Sequence, residues 1–185
     1  QAAATDGFLV LTGKDGAARR SAIDWFGGAL GAPLLLLDLQ GVTHAGADVE
    51  EILAIFLRDA RLTGAVAAMN GWDSVLEEGA PPPRIFEQLC AHPGPVVVSA
   101  EAVWRPRDVD RARRLTWVSC PPPTFAQRRD YLASALADLP SDEPLDAVAL
   151  SGRFVLTTRQ MSDMIASALD HAAQVGRPLR NADLF

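Results

Sequence analysis

The chain has 185 residues, 49% hydrophobic and 22% charged, which excludes wholesale disorder and allows one good-sized core or a larger domain with a small satellite. A net charge of −6 argues against nucleic-acid or anionic-membrane binding through overall electrostatics. No apolar run approaches a membrane span, and LLLLDL at 34–39 is strand-sized.

In chain order, the apolar run FLVLTG at 8–13 ends in glycine and predicts a buried strand. A helix is expected over 19–31, with Ile23, Trp25, Phe26 and Leu30 on its packed face and Gly27–Gly28 weakening it. PLLLLDL at 33–39 predicts a second buried strand, and GVTHAGAD reads as a loop. Asp48 then caps a helix over 49–61, where Val49, Ile52, Leu53, Phe56 and Leu57 recur at helical spacing. AVAAMNG at 65–71 predicts a third strand, 83–92 a short helix, PVVVSA at 95–100 a fourth strand and LTWVSC at 115–120 a fifth. Apolar runs alternating with helices predict an α/β fold, a five-stranded parallel sheet sandwiched by helices. After Pro121–Pro123 the pattern turns helical, over 124–137, 144–151 and 158–175, with Asn181–Phe185 starting another. The expected division is an αβ core at 1–122 and a small all-helical subdomain at 123–185. The chain opens without a Met or a signal-peptide pattern and reads as an excised piece of a larger protein.

The stretch after the first strand carries the sharpest signal. A phosphate-cradling P-loop has the form G-x-x-x-x-G-K-[ST] between a buried strand and a helix. On that frame Gly13 is the first glycine, followed by Lys14, Asp15, Gly16 and Ala17. Ala18 replaces the second glycine, Arg19 the lysine and Arg20 the Ser/Thr. Gly13 and Gly16 keep part of the concavity. Ala18 adds a Cβ where backbone should approach phosphate, Arg19 is a planar fork in place of an ammonium, and Arg20 removes a Mg²⁺-ligating hydroxyl. A strand–turn–helix with solvated arginines is the alternative.

Other residues are less specific. Cys90 and Cys120, without C-x-x-C spacing, read as buried thiols of a reducing compartment. His44, His92 and His171 show no metal-ligand spacing, and no nucleophilic triad is suggested. Trp25 and Trp117 sit in core contexts. Trp72 and Trp104 follow neighbouring strands at the carboxyl edge, where a bulky residue would fill an abandoned pocket or face another domain.

A five-stranded core opened by LTGKDGAARRS and followed by a helical lid resembles an AAA+ ATPase module, nearly end to end. GAVAAMNGWDSVLEE resembles the second carboxylate motif, PGPVVVSAEAVWRP the sensor-1 strand, RARRLTWVSCPPPTFAQRRDYLASAL the arginine-bearing segment and lid entry, and LSGRFVLTTRQMSDMIASALDHA the sensor-2 helix. The wording is similar to the degenerate first AAA+ domain of bacterial tandem AAA+ proteins. The resemblance implies a degenerate Walker A at Gly13–Arg20 and a degenerate Walker B in which Asn70 and Gly71 replace the metal-binding and water-orienting carboxylates. Neither can act as a base, and Asn is a poor ligand for a hard cation. Ser99, Glu101 or Ala102 stands near the sensor-1 position. Arg113 or Arg114, with Arg111, matches arginines presented to a neighbouring subunit, a solvated helix end being the alternative. Arg159 matches the sensor-2 arginine, while Thr158 with Gln160 or Asp163 reads equally well as a cap. Arg128 and Arg129 read as ion-pair partners, and Asp73 as a surface or capping residue.

The resemblance thus implies a hydrolysis-deficient structural or regulatory module beside an active AAA+ domain, cytoplasmic and oligomeric, with other AAA+ domains as partners and neither nucleic acid nor membrane. Any ATP or ADP binding is expected to be weak and independent of Mg²⁺. The rivals are a working ATPase borrowing groups from neighbouring subunits and an interaction module with a closed pocket. Exchanging 18–20 for Gly-Lys-Thr is expected to restore binding, and Asn70→Asp with Gly71→Glu to complete the metal site.

Overall fold

A computed structural model describes residues 7–107 and 113–185, so Arg111 lies outside the described residues. Two compact units emerge. The first comprises residues through Lys14 and Ala18–Cys120; Asp15–Ala17 group with Pro121–Phe185 in the second. The sequence expectation sets the boundary at 122/123.

The first unit is built on five strands: β1 (Phe8–Thr12), β2 (Leu34–Asp38), β3 (Val66–Asn70), β4 (Val96–Ala100) and β5 (Leu115–Ser119). All pairings are parallel, in the order β2-β3-β4-β1-β5. The helices are α1 (Gly16–Leu30), α2 (Leu39–His44), α3 (Val49–Thr63) and α4 (Pro83–Ala91). The α/β sheet flanked by helices therefore stands as expected.

Period-two alternation sends side chains of the central strands β3, β4 and β1 to two covered faces. The edge strands β2 and β5 hold no fully buried residue, so β2 is not the buried strand its apolar run predicts. Phe8 and Val10 of β1, with Met69 and Val98, point to the α3/α4 side against Leu53, Phe56, Phe86 and Leu89. Leu11, Val66, Ala68 and Val97 point to the other side against Ile23 of α1. Asp48 caps α3 through the amides of Glu50 and Glu51, and Gly64 ends it in the left-handed conformation, φ 64°.

Three departures from the sequence reading have local causes. Helix α1 starts at Gly16, three residues before expectation, leaving only Gly13–Asp15 between strand and helix. Trp25, expected in the core, is 73% exposed; the buried positions of α1 are Arg19, Ile23 and Gly27, one helical stripe. Helix α2 begins at Leu39, the last residue of the expected second strand, and runs into the stretch read as a loop; it is too short and glycine-interrupted to show a helical period. It is held by the wholly buried Leu39, and the Thr43 hydroxyl donates to the Leu39 carbonyl at 3.0 Å.

Trp72 and Trp104, expected at a pocket or a domain face, are fully buried in the core against each other, ring centroids 5.5 Å apart. Trp104 also meets Trp117 at 5.0 Å and Phe86 at 6.0 Å. Each such pair contributes about 0.5–1.5 kcal/mol beyond area burial. Their bulk belongs to the α3/α4 face of the sheet.

The second unit contains α5 (Phe125–Leu136), α6 (Ala147–Arg153) and α7 (Thr158–Gln174). Capping boxes start α5 (Thr124 with Gln127) and α7 (Thr157 with Gln160), and Asp146 caps α6. Leu132, Leu136, Leu150, Met161 and Ile165 form its core. Arg128 is buried there and donates to the carbonyls of Pro123 (2.7 Å) and Ser151 (2.9 Å), a carbonyl clamp in place of the expected ion pair. Arg129 does pair, with Asp130 at 2.7 Å.

Candidate functional site

The chain leaving β1 runs toward β2 at one edge of the sheet, whereas the chain leaving β4 runs toward β5 at the other. Open α/β sheets bind ligands in the crevice where outgoing connections diverge in this way. The carboxyl ends of β1 and β4, Thr12 and Ala100, mark it here.

Gly13 occupies this position with φ 133°, a conformation that side-chain-bearing residues rarely adopt. A Cβ at Gly13 would run into the carbonyl of Cys120, whose amide donates to the Thr12 carbonyl at 2.6 Å. The Gly13 N–H donates to the Ala100 carbonyl at 3.2 Å. Gly13 is therefore sealed between the ends of β4 and β5, and its N–H is turned to the protein.

Arg19, at the lysine position of the loop pattern, is 9% exposed. One guanidinium NH₂ donates to the Gly13 carbonyl, Nε donates to Ser99 Oγ at 2.9 Å, and the other NH₂ stands 3.9 Å from the Glu101 carboxylate. All three nitrogens of the fork meet acceptors of the first unit. The strand–turn–helix survives, but an internal cation fills the place where a phosphate pattern calls for an external anion.

Glu101 is itself positioned. The Asp73 carboxylate accepts the amide of Glu101 at 2.7 Å and that of Ala102 at 2.9 Å, fixing the exit from β4. Asp73 rides on the 3-10 turn Trp72–Val75, which follows Gly71 in the left-handed conformation, φ 69°. A Cβ at Gly71 would stand 2.9 Å from the Gln40 backbone nitrogen. Asn70 pairs in register with Asp38 at the strand ends. The Asn-Gly end of β3 thus serves a tight turn that delivers Asp73. In the sequence Asp73 read as a surface or capping residue; the amides it accepts, those of Glu101 and Ala102, lie 28 and 29 residues away and were not foreseen.

The remaining candidates scatter. Lys14 and Gly16 are exposed and Ala17 and Ala18 half-buried. Asp15, grouped with the second unit, is buried; its carboxylate accepts the Ala17 amide at 3.1 Å and the Thr158 hydroxyl at 3.3 Å. Arg20 is exposed and pairs with Asp24 one helical turn on, at 3.2 Å. Arg159 is 81% exposed and pairs with Asp163 at 3.6 Å, while the cap of α7 is Thr157, one residue before the Thr158 considered from sequence.

Arg113 and Arg114 part company. Arg113 is buried and donates to the carbonyls of His92 (2.7 Å) and Gly94 (3.0 Å), with its guanidinium 6.0 Å from the Phe8 ring centroid. It closes the carboxyl end of α4 and is not turned toward a neighbour. Arg114 is exposed.

Burial pushes the Cys90 thiol up. Cys120 is likewise buried. Among the described residues no cluster of His, Cys, Asp or Glu could hold a metal ion, and no helix is long and apolar enough to cross a membrane. Comparison with protein-family models and with curated proteins finds no match to this chain.

Proposed function

We propose that this chain is an AAA+-type module that has given up nucleotide hydrolysis and serves as a structural or regulatory domain beside an active AAA+ domain. The observation that carries this reading is Arg19, buried in the switch-point crevice and spent on Gly13, Ser99 and Glu101. The close approach of Gly13 to the Cys120 carbonyl and the left-handed turn at Gly71 support it, because neither turn has room for an added side chain. Among the rivals, the same contacts favour the closed-pocket interaction module over a weak ATPase with borrowed groups. In this reading the weak, Mg²⁺-independent ATP or ADP binding expected from the loop gives way to no binding. The partners are other AAA+ domains of the same protein or oligomer, met in the cytoplasm, and of the two described arginines of this cluster the exposed Arg114 is the one that would act on one of them.

The test is a calorimetric titration with ATP and ADP, with and without Mg²⁺, beside a phosphate-release assay. No binding heat and release at the level of a heat-killed control are expected. Saturable nucleotide binding, or turnover that survives repurification, would overturn the proposal.

A further inference from the structure

We propose that the crevice at the ends of β1 and β4 is a guanidinium receptor, filled in cis by Arg19. This rests on the closed-pocket reading and names the chemistry of the ligand that closes it. A phosphate cradle is a ring of donors; the groups that face Arg19 are acceptors. Gly13 contributes its carbonyl to one terminal nitrogen, Ser99 its hydroxyl oxygen to Nε at 2.9 Å, and Glu101 its carboxylate toward the other terminal nitrogen at 3.9 Å. Two hydrogen-bond acceptors on adjacent nitrogens of a planar fork, with a carboxylate 3.9 Å from the third, are an arrangement that an ammonium, with its compact charge, does not reproduce.

The acceptors are held independently of the arginine. Gly13 is fixed by its bond to Ala100 and its approach to Cys120. Ser99 lies on the central strand β4 and is buried. The backbone that carries Glu101 is set by the two amides that Asp73 accepts, while its carboxylate reaches in from the exposed rim. Removing the side chain therefore leaves a polar vacancy whose backbone frame is preformed, and leaves the buried Ser99 hydroxyl and the half-buried Gly13 carbonyl without their donor. Such a vacancy takes a small guanidinium salt and rejects phosphate.

Chemical rescue tests this on the intact chain. Arg19→Ala is expected to melt about 5 °C below the parent. Methylguanidinium at low millimolar concentration should recover most of that loss, whereas NaCl at equal ionic strength, inorganic phosphate and ATP should not. The parent and Arg20→Ala should respond to none of them. Absence of rescue, or stabilisation of Arg19→Ala by phosphate or ATP, would overturn the inference, the latter by revealing an anion cradle. If Arg19→Ala does not fold, a double-mutant cycle of Arg19→Lys with Ser99→Ala decides. Lysine should recover only part of the stability, and the two changes should be non-additive. Full stability of Arg19→Lys, or strict additivity, would sink the idea. ATP binding to the parent would overturn the closed-pocket reading and the receptor with it, whereas failed rescue of a variant whose parent binds no ATP would strike the receptor alone.

Discussion

The Nε of Arg19 donates to Ser99 Oγ at 2.9 Å across 80 residues of sequence, joining the first turn of α1 to the end of β4. Arg113 and Arg128 follow the same logic. Each is buried, and each directs its guanidinium at backbone carbonyls: Arg113 at His92, just past α4, and Gly94, before β4, and Arg128 at Pro123, before α5, and Ser151 within α6. A guanidinium suits this use because its donors are fixed in a plane and its charge strengthens each bond without requiring a carboxylate beside it.

Gly13 and Gly28 should respond oppositely to alanine. At Gly13 the positive φ and the Cys120 carbonyl both resist a Cβ, so Gly13→Ala is expected to cost about 2–4 kcal/mol. At Gly28, inside α1 with nothing within 4 Å of the added carbon, alanine should stabilise by about 0.5–1 kcal/mol through helix propensity. Urea midpoints of the two variants check the pair; equal signs would refute the account of the turn.

Restoring carboxylates at the end of β3 should fail for a steric reason. Asn70→Asp is half-buried at a strand end and should fold. Gly71→Glu must place a side chain at φ 69° against the Gln40 backbone, costing about 1–3 kcal/mol and loosening the turn that carries Asp73. The double variant is therefore expected to melt lower than Asn70→Asp and to release no phosphate, even with Gly-Lys-Thr at 18–20. Phosphate release by the five-fold variant would show that the turn yields.

The sheet was legible because its strands are short apolar runs punctuated by Gly and Pro, and because β-branched or aliphatic residues such as Val96–Val98 carry that signal locally. The helical second unit was legible through the helical patterns that follow Pro121–Pro123, but not through its caps, Thr124 and Thr157, which were not picked out. The destinations of the arginines were not. Arg19, Arg20, Arg113 and Arg114 form two adjacent pairs in sequence, and in each pair one side chain is buried while the other is exposed. Helix phase decides the first pair: Arg19 shares a stripe with Ile23, and Arg20 does not. That phase was readable, but a buried arginine on an apolar stripe runs against the usual distribution of charge. Trp25 misled for the converse reason, since its size suggested the core while its phase points out.

Arg113 and Arg114 should separate cleanly by mutation. Arg113→Met removes bonds to buried carbonyls and should cost about 2–3 kcal/mol, whereas Arg114→Ala should stay within about 0.5 kcal/mol. Thermal melts of both variants decide it. A loss at Arg114 equal to that at Arg113 would contradict the placement of these side chains.

Asp183 staples the end of the chain to α7. Its carboxylate accepts both terminal nitrogens of Arg177 at 2.7 Å and the Arg180 amide at 2.9 Å, with His171 at 3.7 Å. The Arg177 hydrogen bonds lead in holding its pKa well below the usual carboxylate range. The folded pKa is below the unfolded one, so the stabilisation is complete above about pH 4 and is lost as pH falls below it. Asp183→Asn should lower the melting temperature at pH 7 and flatten its fall between about pH 5 and pH 2. Parallel curves for parent and variant would show that the staple is not the acid-sensitive element.

His92 supplies the pH dependence nearer neutrality. It is buried at the end of α4, and burial leads in lowering its pKa, with the charges of Arg113 and Arg61 acting the same way. The unfolded chain therefore takes up a proton near pH 6.5 that the folded chain resists. Stability is complete above that pH and falls on acidification toward the lower folded value, because the unfolded state binds more protons. Replacing the ring by a side chain that does not titrate, as in His92→Gln, should remove this slope whatever it does to absolute stability. Urea unfolding of parent and variant between about pH 7.5 and pH 5.5 measures it. The parent should lose stability over that interval and the variant should lose distinctly less. An equal loss in both would assign the slope to another group and show that His92 protonates as readily in the fold as in the unfolded chain.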